Sequence, residues 1–325
     1  MPKPVSHSPD HSGAAAGSDG ERPLTRRGFL AATGAAGLGS VAGCLSGGTD
    51  VSVLAAGSLV SLFQEAVGPA FERSHEYGYR GEFHGSNAVL RMVLERQKRP
   101  DVVVSADASL LRKRLPEELA PWDVVFASNA LVIAYNPNTA VGRKLEAGKP
   151  WYAVLRRADA EIARADPDLD PLGYRAILMF KLAEARYGIE GLAGDLRENL
   201  VVDPQEAQLL AGVETGNRAA AIVYKNMAVE HDLPYVSLPD ALNFSDPDLA
   251  EYYARVSYTT EDGTTVRGSP IRYNLTVPTT ATHPEAGRTF AAFLLANPDL
   301  LRENGLIVDE RFPQPNGPVP PEVLP

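Results

Sequence analysis

The sequence predicts an α/β fold. Short, β-rich apolar runs alternate with amphipathic stretches of helical period, and turn-forming residues separate them. That alternation is the pattern of strands and covering helices in a parallel layer. Residues 45–325 are also enough for one large or two ordinary α/β domains.

The elements follow in order. Residues 45–50 read as a small, polar tether. Val51 to Ala56 is an apolar strand broken by Gly57, and Leu59, Leu62, Phe63, Ala66 and Phe71 then keep helical spacing to about His75. A second strand near Tyr79 to His84 leads through Gly85-Ser86-Asn87 into a helix ending near Lys98, and Asp101 to Ser105 is a short buried strand. Val124 to Tyr135 is another apolar run, closed by Asn136-Pro137. A polar segment, Asp159 to Asp170, precedes Pro171 and a strong helix from about Leu172 to Tyr187. A helix over Glu206 to Glu214 is closed by Gly216, and the strand Ala219 to Tyr224 runs into Lys225-Asn226 and a further helix. Asp262-Gly263 between Thr-rich flanks reads as a hairpin over Ser257 to Arg267. Ile271 to Val277 is a strand, Pro284 to about Asn304 the last helix, and the tail from Pro313 is proline-rich.

Composition narrows the classes. Acidic residues outnumber basic ones 41 to 31, for a formal net charge of −10, and only seven of the basic residues are lysine. Such a surface resembles that of a salt-adapted extracellular protein. It argues against nucleic acid as a partner, because phosphates call for a basic patch. Cys44 is the only cysteine, so no intrachain disulfide or thiolate metal site can form. Beyond the leader, His75, His84, His231 and His283 show no pair at helical ligand spacing.

The leader gives the destination. Thr25-Arg26-Arg27-Gly28-Phe29-Leu30 and the Ala/Gly-rich run to Gly43 resemble a twin-arginine export signal. The run is too short to span a membrane, which takes ~20 apolar residues. Ala42-Gly43 before Cys44 resembles a lipoprotein processing site. Residues 1–44 are therefore expected to be a signal peptide, with Cys44 lipidated and the protein held on the outer face of the cytoplasmic membrane.

Two places share one design: a strand ends, glycine turns the chain and a serine opens a helix. They are Gly57-Ser58 and Gly85-Ser86. Serine beside the free N–H groups of a first helical turn can serve as an N-cap or as an anion site. On consecutive strand–helix units of one parallel sheet, both would point to the same sheet edge. Two acids are further candidates. Asp170 precedes Pro171 and can simply cap the helix, and Glu206 opens a later helix, where its charge suits the macrodipole.

The body resembles the substrate-binding proteins of ABC transporters for molybdate and tungstate, in their archaeal class. The matching elements, in order, include Ala56-Gly57-Ser58-Leu59, Gly85-Ser86, Asp101-Val102-Val103 with Ala106-Asp107, Asp170-Pro171 with Gly173-Tyr174-Arg175, and Ala221 to Lys225, then Gly268-Ser269-Pro270-Ile271. They span about residues 51–310. The resemblance implies a two-lobed, type II periplasmic-binding-protein fold with the ligand cleft between lobes, lobe I at 51–128 plus 275–325 and lobe II at 129–274. It implies that Ser58 and Ser86 hydrogen-bond the oxyanion, that Asp170 and Glu206 complete the metal's coordination, and that Tyr224 is a further donor. Gln208 competes with Glu206 for its position. The chain departs from the family pattern at Ala219-Ala220 and at Asn226, and in having one acid rather than two before Pro171.

The carboxylates are the discriminating feature of that scheme. An ionised acid ~4 Å from an anion costs about 4 kcal/mol per charge pair at an effective dielectric of ~20. Sulfate or phosphate feels that repulsion, whereas Mo(VI) or W(VI) can accept two more oxygens and pass from four- to six-coordinate. The expectation is a binding protein without catalysis or cofactor, monomeric, delivering molybdate or tungstate to an ABC permease. The alternatives are a binder of sulfate, phosphate or ferric iron, or an exported hydrolase. No Gly-x-Ser-x-Gly elbow surrounds Ser58.

Overall fold

Two sheets organise the chain. The computed structural model describes residues 48–203 and 206–325. The expected signal peptide, Cys44 and the start of the tether lie outside the described residues. The first sheet has six strands: β1 (Asp50–Ala56), β2 (Gly78–His84), β3 (Val102–Ser105), β4 (Asp123–Ser128), β12 (Arg272–Thr276) and β13 (Gln314–Asn316), in the order β13-β4-β12-β3-β1-β2. The second has five: β5 (Leu131–Tyr135), β6 (Ile162–Ala165), β7 (Val201–Asp203), β8 (Ala220–Tyr224) and β9 (Tyr235–Ser237), in the order β7-β6-β8-β5-β9. A separate hairpin pairs β10 (Ser257–Thr259) with β11 (Thr265–Arg267), as the Asp-Gly turn predicts.

Both sheets are mixed. β1 pairs in parallel with β2 and β3, and β12 runs antiparallel between β3 and β4. In the second sheet β6 is parallel to β7 and β8, while β5 runs antiparallel between β8 and β9. β3, β4, β5 and β8 are buried along their whole length. Helices covering both faces make such strands continuous apolar runs rather than alternating ones. The chain leaves the first sheet through Asn129-Ala130 and re-enters it at Arg272.

Several elements differ from the sequence reading. The Val124–Tyr135 run is two strands in two different sheets, split at Asn129-Ala130. Within the polar segment before Pro171 lies β6, hidden because Arg164 interrupts its apolar pattern. The expected last helix is two, Pro284–Ala296 and Pro298–Glu303. Pro298 has no N–H to continue the ladder and its ring crowds the preceding turn, so the chain restarts there. The stretch after Ser58 is also not one α-helix but a 3₁₀ turn, a π segment and the short helix Gly68–Ser74.

Candidate ligand site

Strand register brings the two serine turns together. β1 and β2 pair with Ala56 opposite His84, so Gly57-Ser58 and Gly85-Ser86 leave one edge of the sheet as neighbours. β3, on the other side of β1, exits there through Ala106-Asp107. The carboxyl ends of parallel strands are where α/β folds collect loops and helix N-termini around a ligand.

Neither serine is an N-cap. Gly85 caps the Ser86–Leu94 helix, Ser58 sits inside the Gly57–Leu59 turn, and no side-chain cap bond is made at either. Both serines are buried. Ser86 Oγ accepts the Ala106 N–H at 3.0 Å, and Ser58 Oγ lies 2.9 Å from the Tyr273 hydroxyl. A hydroxyl that accepts a backbone N–H still carries its own hydrogen, the donor an oxyanion requires.

Asp170 reaches the same edge from the other side. Its Oδ1 accepts the Leu172 N–H at 2.6 Å, so the capping reading holds for one carboxylate oxygen. Oδ2 faces the second serine turn. A Cβ on Gly85 would stand 2.8 Å from it and 2.3 Å from the Leu169 carbonyl oxygen. Glycine is what lets the two loops approach this closely. Asn87 Nδ2 holds the approach by donating to the Asp168 carbonyl at 3.1 Å. The Glu206–Thr215 helix packs against the Gly57–Leu59 turn. The Glu206 side chain lies outside what the structure describes, and Gln208 is exposed. Tyr224, fully buried at the end of β8, accepts a hydrogen bond from Arg175 Nη1 at 2.6 Å.

The sequence reading gives Asp107, Tyr174 and Arg175 no role, yet they tie these parts together. Arg175, buried on the Pro171–Tyr187 helix, also donates to the Ala106 carbonyl at 3.0 Å and to Asp107 Oδ2 at 2.9 Å. Tyr174 donates to the same Oδ2 at 2.7 Å. The backbone of Ala106 is thus held on both sides, its N–H by Ser86 and its carbonyl by Arg175. Burial opposes the guanidinium's charge, but Tyr224 and Asp107 outweigh it and hold its pKa above the ordinary value. Burial, with Asp107 beside it, drives the Tyr174 hydroxyl well above its usual pKa and keeps it a donor. An arginine inside the otherwise apolar run Leu172 to Phe180 is the signal that finds this group. Among the described residues, no cluster of three or more His, Cys, Asp or Glu side chains could hold a metal ion, and no helix is long and apolar enough to cross a membrane.

Segments of both sheets meet at two neighbouring serine turns and a carboxylate, an arrangement that fits a two-lobed solute-binding protein. The chain belongs to the family of bacterial extracellular solute-binding proteins, whose model matches residues 51–306. It is 48% identical over 303 residues to an uncharacterized solute-binding protein of Halobacterium salinarum, covering 93% of this chain and 98% of that one. A Haloferax volcanii protein named for an ABC transporter and molybdenum binding is 44% identical over 303 residues, with 91% and 96% covered. The molybdate/tungstate-binding protein WtpA of Thermococcus kodakarensis is 30% identical over 276 residues, with 76% and 78% covered. Among solved structures, the periplasmic molybdate-binding protein of Azotobacter vinelandii shares the fold, with a TM-score of 0.61 at 13% identity over 80% of this chain and all of that one. Members of the family are solute-binding proteins, not enzymes, and carry no cofactor.

Proposed function

We propose that this chain captures molybdate or tungstate outside the cell and delivers it to an ABC permease. The observation that carries the reading is the approach of Asp170 Oδ2 to Gly85, which brings a carboxylate up to the second serine turn. In this reading Ser58 and Ser86 donate to the oxyanion, Tyr224 adds a donor, and Asp170 and Glu206 bring the Mo or W centre to six-coordination. The names of the Haloferax and Thermococcus relatives support the same ligand class. A carboxylate in this position repels sulfate and phosphate by about 4 kcal/mol per charge pair at ~4 Å, and becomes a ligand only for a metal that can accept it.

The two sheets would be the cores of the expected lobes, lobe I (51–128 plus 275–325) and lobe II (129–274), except that β12 of the first sheet already begins at Arg272 and moves the second boundary to about that residue. The lobes would close on the ligand as a monomer. Lipidation at Cys44 after twin-arginine export would hold the protein at the outer face of the cytoplasmic membrane. Cys44→Ser should then release it into the medium, and a variant that stays with the membrane would contradict the anchor. Calorimetric titration with molybdate, tungstate, sulfate, phosphate and ferric iron tests the ligand. Tight binding of either group-six oxyanion with weak sulfate binding is expected. Tight sulfate binding, or no binding of molybdate and tungstate, would overturn the reading.

A further inference from the structure

Ser58 is held at two points by residues far from it in sequence. Its hydroxyl meets Tyr273 on β12 at 2.9 Å, and its carbonyl accepts Asn226 Nδ2 at 2.7 Å. Asn226 opens the helix Lys225–Glu230 that follows β8 of the other sheet. Asn129, in the passage between the sheets, joins the two: its Nδ2 donates to Asn226 Oδ1 at 2.7 Å and to the Tyr273 hydroxyl at 3.3 Å. All four side chains are buried.

The two amides are fully engaged. Asn226 Nδ2 serves Ser58 and also Glu230 Oε1 at 2.9 Å, while its Oδ1 takes Asn129. Asn129 Oδ1 accepts the Ala130 N–H at 2.9 Å. Neither amide can flip without leaving a buried donor facing a donor, which costs more than the bond it breaks. The Tyr273 ring is seated between Phe126 and Tyr224, with ring centroids 6.2 and 6.1 Å away. A single arrangement is therefore favoured for the Ser58 turn.

We propose that Tyr273 and Asn226, joined through Asn129, are positioning residues that set Ser58 for oxyanion binding, so that the serine is placed jointly by Tyr273 of its own sheet, by Asn226 from the other sheet and by Asn129 in the passage between them. The inference rests on the functional reading above, in which Ser58 touches the ligand.

Titration of molybdate into the wild type, Tyr273→Phe, Ser58→Ala and the double variant tests it. Tyr273→Phe keeps the ring and removes only the hydroxyl. It should weaken molybdate roughly three- to tenfold, the worth of one hydrogen bond, and should add almost nothing once Ser58 is alanine. Asn226→Ala, which leaves Tyr273 in place, should weaken binding by a similar factor. A structural role alone would lower the melting temperature with affinity intact, or cost the same in both serine backgrounds. Either result overturns the inference, as does wild-type affinity in both Tyr273→Phe and Asn226→Ala. Failure of the wild type to bind molybdate or tungstate would overturn the functional reading and this inference with it. Binding by the wild type with unaltered variants overturns this inference alone.

Discussion

At the scale of single residues, Asp170 and Glu206 separate coordination from simple capping. Asn is as good an N-cap as Asp, so Asp170→Asn keeps the bond to Leu172 and removes only charge. Asp170→Asn and Glu206→Gln should each weaken molybdate or tungstate at least tenfold, about 1.4 kcal/mol, and narrow the gap to sulfate. Ser58→Ala and Ser86→Ala should weaken every tetrahedral oxyanion alike, because each deletes a hydrogen bond to oxygen without touching the metal. Equal losses for all ligands in the acid variants, measured by titration, would refute coordination. The serines were legible because strand, glycine, serine and helix follow one another locally. Asp170 was visible as a helix start, and only resemblance to a family suggested more. Arg175 stands out in the sequence as a charge inside an apolar run, but its role was not legible, because its partners lie 49 to 69 residues away and nothing local marks a guanidinium as satisfied.

At the scale of elements, the hairpin shows how a motif can be read while its task is not. Asp262-Gly263 announces the turn, yet its contacts lie in distant segments. Glu261 N donates to Asp168 Oδ1 at 2.8 Å, and Lys181 Nζ reaches the Ser257 carbonyl at 2.5 Å. On the other side Arg114 pairs with Asp262, and Lys113 Nζ donates to the Thr265 carbonyl at 3.2 Å. The helix carrying those two basic residues, Ala108–Arg114, follows β3 of the six-stranded sheet. The hairpin thus straps the first sheet's helix to the loop that carries Asp170. Exposed pairs such as Arg114–Asp262 contribute at most about 1 kcal/mol, and the Asp168 end is held by the Glu261 N–H and, at 3.4 Å, by the Tyr258 hydroxyl. Asp168→Ala should cost about 1 kcal/mol in urea unfolding and speed protease cleavage near Gly263. An unchanged cleavage rate would show that the strap is held elsewhere. Short edge strands such as β7, β9 and β13 were illegible for a related reason: three residues cannot display a period, and pairing defines them.

Across the whole molecule, pH should act through Glu230. Burial pushes its carboxyl up to about 8; the Asn226 hydrogen bond partly offsets this, and Glu65 adds to it. An unfolded glutamate titrates near 4.3. Between those values the folded chain keeps a proton that the unfolded chain has lost, so stability should fall as pH rises through that window. The slope is at most roughly 1.4 kcal/mol per pH unit. Glu230→Gln should flatten it and stabilise the protein at pH 8, as read by urea unfolding from pH 5 to 8. A slope that persists in the variant would place the titration on another group.

The parallel pairing of β1 and β2 has one more consequence, for how this site can change. Neighbouring strands in a sheet stand about 4.8 Å apart, and the serine turns begin one such step from each other. That interval is a ruler made of backbone hydrogen bonds, which no side-chain exchange can lengthen or shorten. Evolution or a protein engineer seeking a new oxyanion inherits the gauge unaltered. In the proposed reading the adjustable parts are the acids at positions 170 and 206, so selectivity among ions of one shape should drift there while the serine pair stays as it is.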